Sequence, residues 1–190
     1  MTPQEQAIYQ EFILQMQDYG LNENETLELF EASSILELPT RHILVNQGEQ
    51  PSHIYFVFEG VCHASYLTSQ GDTLSKEFFW GQEWILDCEA ITKLSPTPYL
   101  LETLSPVTLL CLPIEVIQHW RAILHPMYVK LLEAQLIHKE NKERFSLLYT
   151  PEQRYQIIAQ QFPDLIERLS DHHLAAYLGI TPEELSDLSA

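Results

Sequence analysis

The sequence predicts an α+β protein: N-terminal helices, a small all-β barrel or jelly roll, one long helix, and a compact helical unit at the C-terminus. Three observations predict it. Apolar residues recur at helical spacing up to about residue 33 and again after Pro113. Between them lie short runs rich in β-branched and aromatic residues, cut at even intervals by turn signals. Finally, "LAAYLGITPEELS" (174–186) reads as two short helices joined by a glycine turn.

In order along the chain, Ala7, Phe12, Ile13 and Met16 define a first helix that Gly20 ends, and Asn24 is expected to cap a second through Phe30. From about Ile35 the period changes. "RHILVNQGEQ", "SHIYFVFEGVCHASYLTSQGD", "LSKEFFW", "YLLETLS" and "VTLLCLP" supply the strands. Gly48-Glu49, Glu59-Gly60 and Gln70-Gly71-Asp72 are the turns, with one hairpin expected around Glu59-Gly60. Ile114 to Ile123 forms a short helix. Pro126 suits the first turn of a longer one to about Tyr149, roughly 36 Å long. On it Val129, Leu132 and Leu136 make an apolar stripe, expected to be a dimer seam, which "HKENKER" (138–144) interrupts. Thr150 caps the next helix, Pro163 breaks it, and Ser170 or Asp171 caps the helix that Gly179 stops. The expected division is 1–125 for N-terminal helices and barrel, 126–149 for the dimerisation helix, and 150–190 for the helix-turn-helix unit.

Composition narrows the function classes. With 190 residues, 45% of them hydrophobic, the chain can bury a core. Its apolar runs are too short to span a bilayer, and 1–20 lacks the pattern of a signal segment, so a cytoplasmic protein with no membrane partner is expected. Three widely spaced cysteines, Cys62, Cys88 and Cys111, fit reduced thiols better than a disulfide or metal set. No phosphate-binding glycine loop, serine-hydrolase elbow or zinc-protease motif is present, so no enzyme, no metal and no cofactor is expected. The eight histidines lack ligand spacing and are expected at the surface or in caps. The net charge is −17. Five of the ten bases cluster in 121–144, and the last forty residues carry two bases against seven acids, a net of −5.

The element order, together with Gly48-Glu49, "IYFVFEG" (54–60), "TSQGD" (68–72) and above all "TPEQRYQIIAQQFPDLIERLSDHHLAAYLGITPEELS" (150–186), resembles the Crp/Fnr family of bacterial transcription regulators. The resemblance covers nearly the whole chain. It implies a cyclic-nucleotide-binding-type barrel, a dimerising helix and a DNA-binding helix-turn-helix. It further implies a phosphate-and-ribose pocket within "FFWGQEWILDCEAITKLSPTPYLLETL" (78–104). There Gly81 and Glu83 stand for the helix and ribose roles, and Thr97 and Tyr99 for further effector contacts. The family's arginine is missing: "SPTPYL" (95–100) replaces it, and Lys93 is the nearest base. Burying a phosphate without a cationic partner costs several kcal/mol, so the expected effector is an unidentified small molecule rather than cyclic AMP. Trp80, Trp84 and Tyr99 make any cavity aromatic; an apolar ligand and a filled, effector-free barrel both stay open.

For DNA, the resemblance assigns Thr181, Glu183 and Ser186 as contacts. The scaffold residues Leu174, Ala175, Leu178, Ile180 and Leu185 fit, but Asp187 stands where the family places an arginine, and the β-hairpin wing is missing. Weak DNA binding by a homodimer is expected, since phosphate neutralisation supplies most non-specific affinity. The alternative is a module that has kept the barrel and helix for protein interaction.

Overall fold

The computed structural model describes residues 2–189. Helix α1 (Pro3–Asp18) starts at a capping box in which Thr2 Oγ1 accepts from the Glu5 N–H at 3.2 Å and the Glu5 carboxylate accepts from the Thr2 N–H. Helix α2 (Glu23–Glu31) uses the same device two residues earlier than the pattern of apolar residues implied. Asn22, not Asn24, is the cap, because Glu25 stands three residues beyond it and closes the box.

Eight strands follow: β1 (Ser34–Leu38), β2 (Ile43–Val45), β3 (His53–Glu59), β4 (Cys62–Leu67), β5 (Thr73–Phe79), β6 (Trp84–Ile85), β7 (Leu100–Thr103) and β8 (Val107–Pro113), with the short helix α3 (Cys88–Lys93) between β6 and β7. They form two antiparallel four-stranded sheets, ordered β1-β8-β3-β6 and β2-β7-β4-β5. This is the jelly-roll form of the predicted barrel. It is not closed, since no strand pairing joins the two sheets among the described residues. The expected hairpin at Glu59-Gly60 is a correction: β3 and β4 lie in different sheets, and Gly60, at φ +86°, carries the chain from one to the other. Here the chain passes close against Pro106 and Val107, which leaves no room for a side chain.

The two cores explain why β3 and β8 read as unbroken apolar runs: both faces are covered. Tyr55, Val57, Leu109 and Cys111 face Cys62, Ala64 and Leu101 of the second sheet. Ile54, Phe56, Leu110 and Leu112 face outward onto the helical layer. There Phe12 and Met16 of α1, Trp120 of α4 (Ile114–Ala122), and Met127 and Leu131 of α5 (Pro126–Leu148) cover them. The Phe12 ring stands edge-on to Phe56 at 5.4 Å, and each such buried ring contributes about 2–3 kcal/mol by removal from water. Four helices complete the chain: α6 (Pro151–Gln161), α7 (Pro163–Arg168), α8 (Asp171–Leu178) and α9 (Pro182–Ser189). Their own small core is Ile158, Leu174, Ala175, Leu178 and Leu185.

Candidate effector cavity and helix-turn-helix unit

Strand β5 is the structural origin of the main cavity. Its pairing with β4 shifts register between Ala64, opposite Glu77, and Ser65, opposite Ser75, so Lys76 is an extra residue. Such a bulge breaks the strict alternation of faces. Lys76 and Glu77 consequently line the same cavity, a space of about 470 Å³ bounded by β5, β6, α3 and the inner face of α5. Lys76 Nζ sits over the Tyr99 ring at 4.5 Å. Burial, the nearby Lys139 and Lys142 push the Lys76 ammonium down to about 8, against a smaller opposing pull from Glu77 and Asp87.

Glu77 is 3% exposed and ties α5 to the sheet. Its Oε2 accepts from Lys142 Nζ and lies against His138 Nε2, each at 3.0 Å. Burial alone would raise the Glu77 carboxyl, but those two partners more than offset it and hold it below the usual carboxylate range. The hydrogen bond from the His138 side correspondingly raises that imidazole, mainly through Glu77. Lys142 also donates to the Lys76 carbonyl and lies 4.7 Å from the Tyr177 ring centroid. The tie therefore reaches from strand to long helix to α8.

The four effector residues expected from the sequence do not meet in one place. Glu83 lines the large cavity, with Oε2 accepting from the Trp80 N–H at 3.1 Å, and burial pushes its carboxyl up to about 7. Tyr99 lines the same cavity and also a smaller one of about 110 Å³ between the sheets. Thr97 lines only that smaller one; its N–H donates to the Glu49 carbonyl at 2.8 Å and its hydroxyl to the Tyr99 carbonyl at 3.4 Å. Gly81 lines neither, but faces a third cavity of about 370 Å³ between α5 and the C-terminal helices. Lys93 is exposed and pairs with Glu89 at 2.8 Å, away from the interior. The residues missed are Lys76, Glu77, Asp87 and His138. Asp87 was recognisable as a helix cap, since its Oδ1 accepts from the Ala90 N–H at 3.0 Å. Lys76 was hidden by the bulge, which no residue pattern marks.

The C-terminal unit has the local chemistry of a helix-turn-helix. Gly179 closes α8 in the left-handed region at φ 71°, and the Ile180 N–H reaches back to the Ala175 carbonyl at 3.0 Å. Thr181 caps α9 in a box with Glu184: the Glu184 N–H donates to Thr181 Oγ1, and the Thr181 N–H to Glu184 Oε2 at 2.8 Å. Glu184 is thus occupied in shaping the turn. Thr181, Glu183, Ser186 and Asp187 are exposed, and Leu185 points into the small core. Ala190 lies outside the described residues.

This unit rests on the outer face of the second sheet. Phe78 meets Tyr177 at 5.0 Å, Trp80 meets Phe162 at 5.4 Å, and His63 meets His173 at 5.4 Å. His63 corrects the expectation of surface histidines. It is buried, stacked on Phe78 at 4.9 Å with Nε2 at 2.9 Å from Ser75 Oγ. Burial, then His173 and Lys142, push it down to about 4. The signal was available, because β4 alternates His63 against the inward Cys62 and Ala64 beneath a second layer. On α5, Val129 and Leu136 are 42% and 61% exposed, while Leu132 is half-buried over Cys88, Ile91 and Ile117.

No protein-family model matches the chain, and no curated protein matches it in sequence. Solved structures do. The c-di-GMP responsive global regulator CLP of Xanthomonas campestris is 18% identical, with a TM-score of 0.63 over 87% of this chain and 89% of that one. FixK2 from Bradyrhizobium japonicum is 16% identical, with 0.65 over 83% and 82%. The catabolite activator protein of Thermus thermophilus is 19% identical, with 0.54 over 90% and 83%. Jelly roll, long helix and helix-turn-helix in one chain, matched along most of its length, give this protein the fold of the Crp/Fnr-type regulators.

Proposed function

We propose that the protein is a Crp/Fnr-type transcription regulator, not an enzyme, acting in the cytoplasm. In this reading 1–125 is the sensor, 126–149 the dimerisation helix and 150–190 the output unit. The observation that carries it is the combination in one chain of a cavity under α5 with a glycine-turned helix pair whose second helix keeps its outer face exposed. Effector binding under α5 would shift that helix and, through it, two output units of a dimer. Thr181, Glu183 and Ser186 are the proposed DNA contacts, and Val129, Leu132 and Leu136 the proposed seam.

A specific observation favours a second reading, a protein-interaction module without DNA binding: α9 carries Glu183, Glu184 and Asp187 and no Lys or Arg. A salt series of binding to random-sequence duplex DNA separates the two. Binding that weakens log-linearly with salt supports the regulator, and none at low salt overturns it as a direct DNA binder. The seam is tested by Leu136→Asp, an exposed position that leaves the fold intact. Sedimentation should show a dimer for the unaltered chain and a monomer for the variant.

A further inference from the structure

We propose that the cavity between β5 and α5 is a receptor for a small carboxylate with an aromatic or apolar body, its charge taken by Lys76 and its body walled by Tyr66, Tyr99 and Trp84. This rests on the reading of the jelly roll as a sensor and names the class of ligand it senses.

The argument starts from what is unpaired. No atom among the described residues accepts a hydrogen bond from Lys76 Nζ, and its near neighbour is the face of Tyr99 at 4.5 Å. A half-buried ammonium that lies over a ring face and has no hydrogen-bond acceptor gains from an entering anion. Trp84 Nε1, on another lining residue, is buried without an acceptor. In a chain of net charge −17, Lys76, Lys139 and Lys142 gather at this one place.

Four carboxylates also line the cavity, and their state decides the ligand's sign and charge. Glu77 is held by His138 and Lys142. Glu89 is paired with Lys93 at the surface. Glu83 accepts from the Trp80 N–H, and burial leaves much of it uncharged near neutral pH. Asp87 caps α3 with one oxygen, while Oδ2 is buried without a donor. Among the described residues, Lys76 and Lys139 are therefore the lining ammoniums without a carboxylate partner, against the one unpaired carboxylate of Asp87, which leaves a net of about one positive charge. That balance accepts a monoanion and rejects a phosphate dianion, whose second charge would meet the acidic wall. The volume of about 470 Å³ lies in the range of small-molecule sites and exceeds what a bare inorganic anion would fill.

The test is calorimetric titration of the full chain with benzoate and cinnamate, their amides, benzylamine and inorganic phosphate. The acids should bind at least about tenfold more tightly than the amides, the discrimination that one charge-assisted pair supplies. Their affinity should fall as pH rises through about 8, where Lys76 loses its proton. The charged groups that face Lys76 are Glu77 on β5, Asp87 at α3, and Lys139 and Lys142 on α5. Lys76→Gln should bring the acids down to the level of the amides. Equal binding of acid and amide, preference for benzylamine or phosphate, no binding of either acid at millimolar concentration, or acid binding unchanged in Lys76→Gln would each overturn the proposal. The acid–amide comparison uses the unaltered chain and stands even if the variant folds poorly. None of these measurements involves DNA, so failure of the regulator reading and failure of the ligand class are read separately.

Discussion

Burial pushes Glu83 up to about 7, and burial, with His173 and Lys142 beside it, pushes His63 down to about 4. The two act on stability in opposite senses. Between about pH 4 and 6.5 the unfolded chain holds a proton at His63 that the folded chain does not, so this contribution is full above 6.5 and is lost as pH falls. Between about 4.5 and 7 the folded chain holds a proton at Glu83 that the unfolded chain has released, so stability is lost as pH rises. Over the shared window they largely cancel. Glu83→Gln keeps an acceptor for the Trp80 N–H and removes the charge. It should add about 1–3 kcal/mol above pH 7. It should also expose a fall in stability from pH 6.5 toward 4.5 that the unaltered chain lacks, read by urea unfolding across that range. Sequence named Glu83 as a functional residue on a resemblance. Its neighbour Lys76 escaped because strand alternation assigns adjacent residues to opposite faces, and only the paired strand reveals the bulge.

Among the elements, the strands were legible and their partners were not. "IYFVF" is apolar at every position because β3 is covered on both faces, so it carries no alternation from which to read a register. A glycine between two strands looks the same whether it turns a hairpin or crosses between sheets. The space around Gly60 distinguishes them, since a Cβ there would lie 2.6 Å from Val107 Cγ1 and run into the Pro106 carbonyl. Gly60→Ala should therefore cost about 2–4 kcal/mol, combining a strained positive φ with displacement of backbone. Gly71→Ala has open space, and its cost should be confined to the backbone term of about 1 kcal/mol. Thermal unfolding of the pair checks the difference. The helices were placed more accurately, since caps are local: Thr150 and Ser170 each accept from an N–H three residues on.

Across the whole molecule, β5 is the common member. Its Glu77 holds α5 on one side, while Phe78 on the other carries Tyr177 of α8. Glu77→Gln would leave Lys142 without a counter-charge in a half-buried setting. The expected loss is about 1–3 kcal/mol, less than for a fully enclosed pair because Lys142 and His138, the two partners of the buried Glu77, both reach solvent. Limited proteolysis should then cut near Tyr149 and Thr150 sooner than in the unaltered chain. The arrangement of helices and strands was legible from composition and period. How the C-terminal unit packs against the sheet was not, because Trp80, Phe162 and Tyr177 are individually unremarkable apolar residues.

Glu83 and His138 line both the cavity beneath α5 and the one between α5 and the C-terminal helices. The wall between the chamber that would receive a message and the joint that would act on it is one layer of side chains. Of the two residues in that wall, Glu83 has its carboxyl pushed up to about 7 by burial, and His138 has its imidazole raised by the hydrogen bond to Glu77. A signal crossing it has no long route to travel: a ligand pressing on one side alters the packing of the other directly, as a diaphragm does.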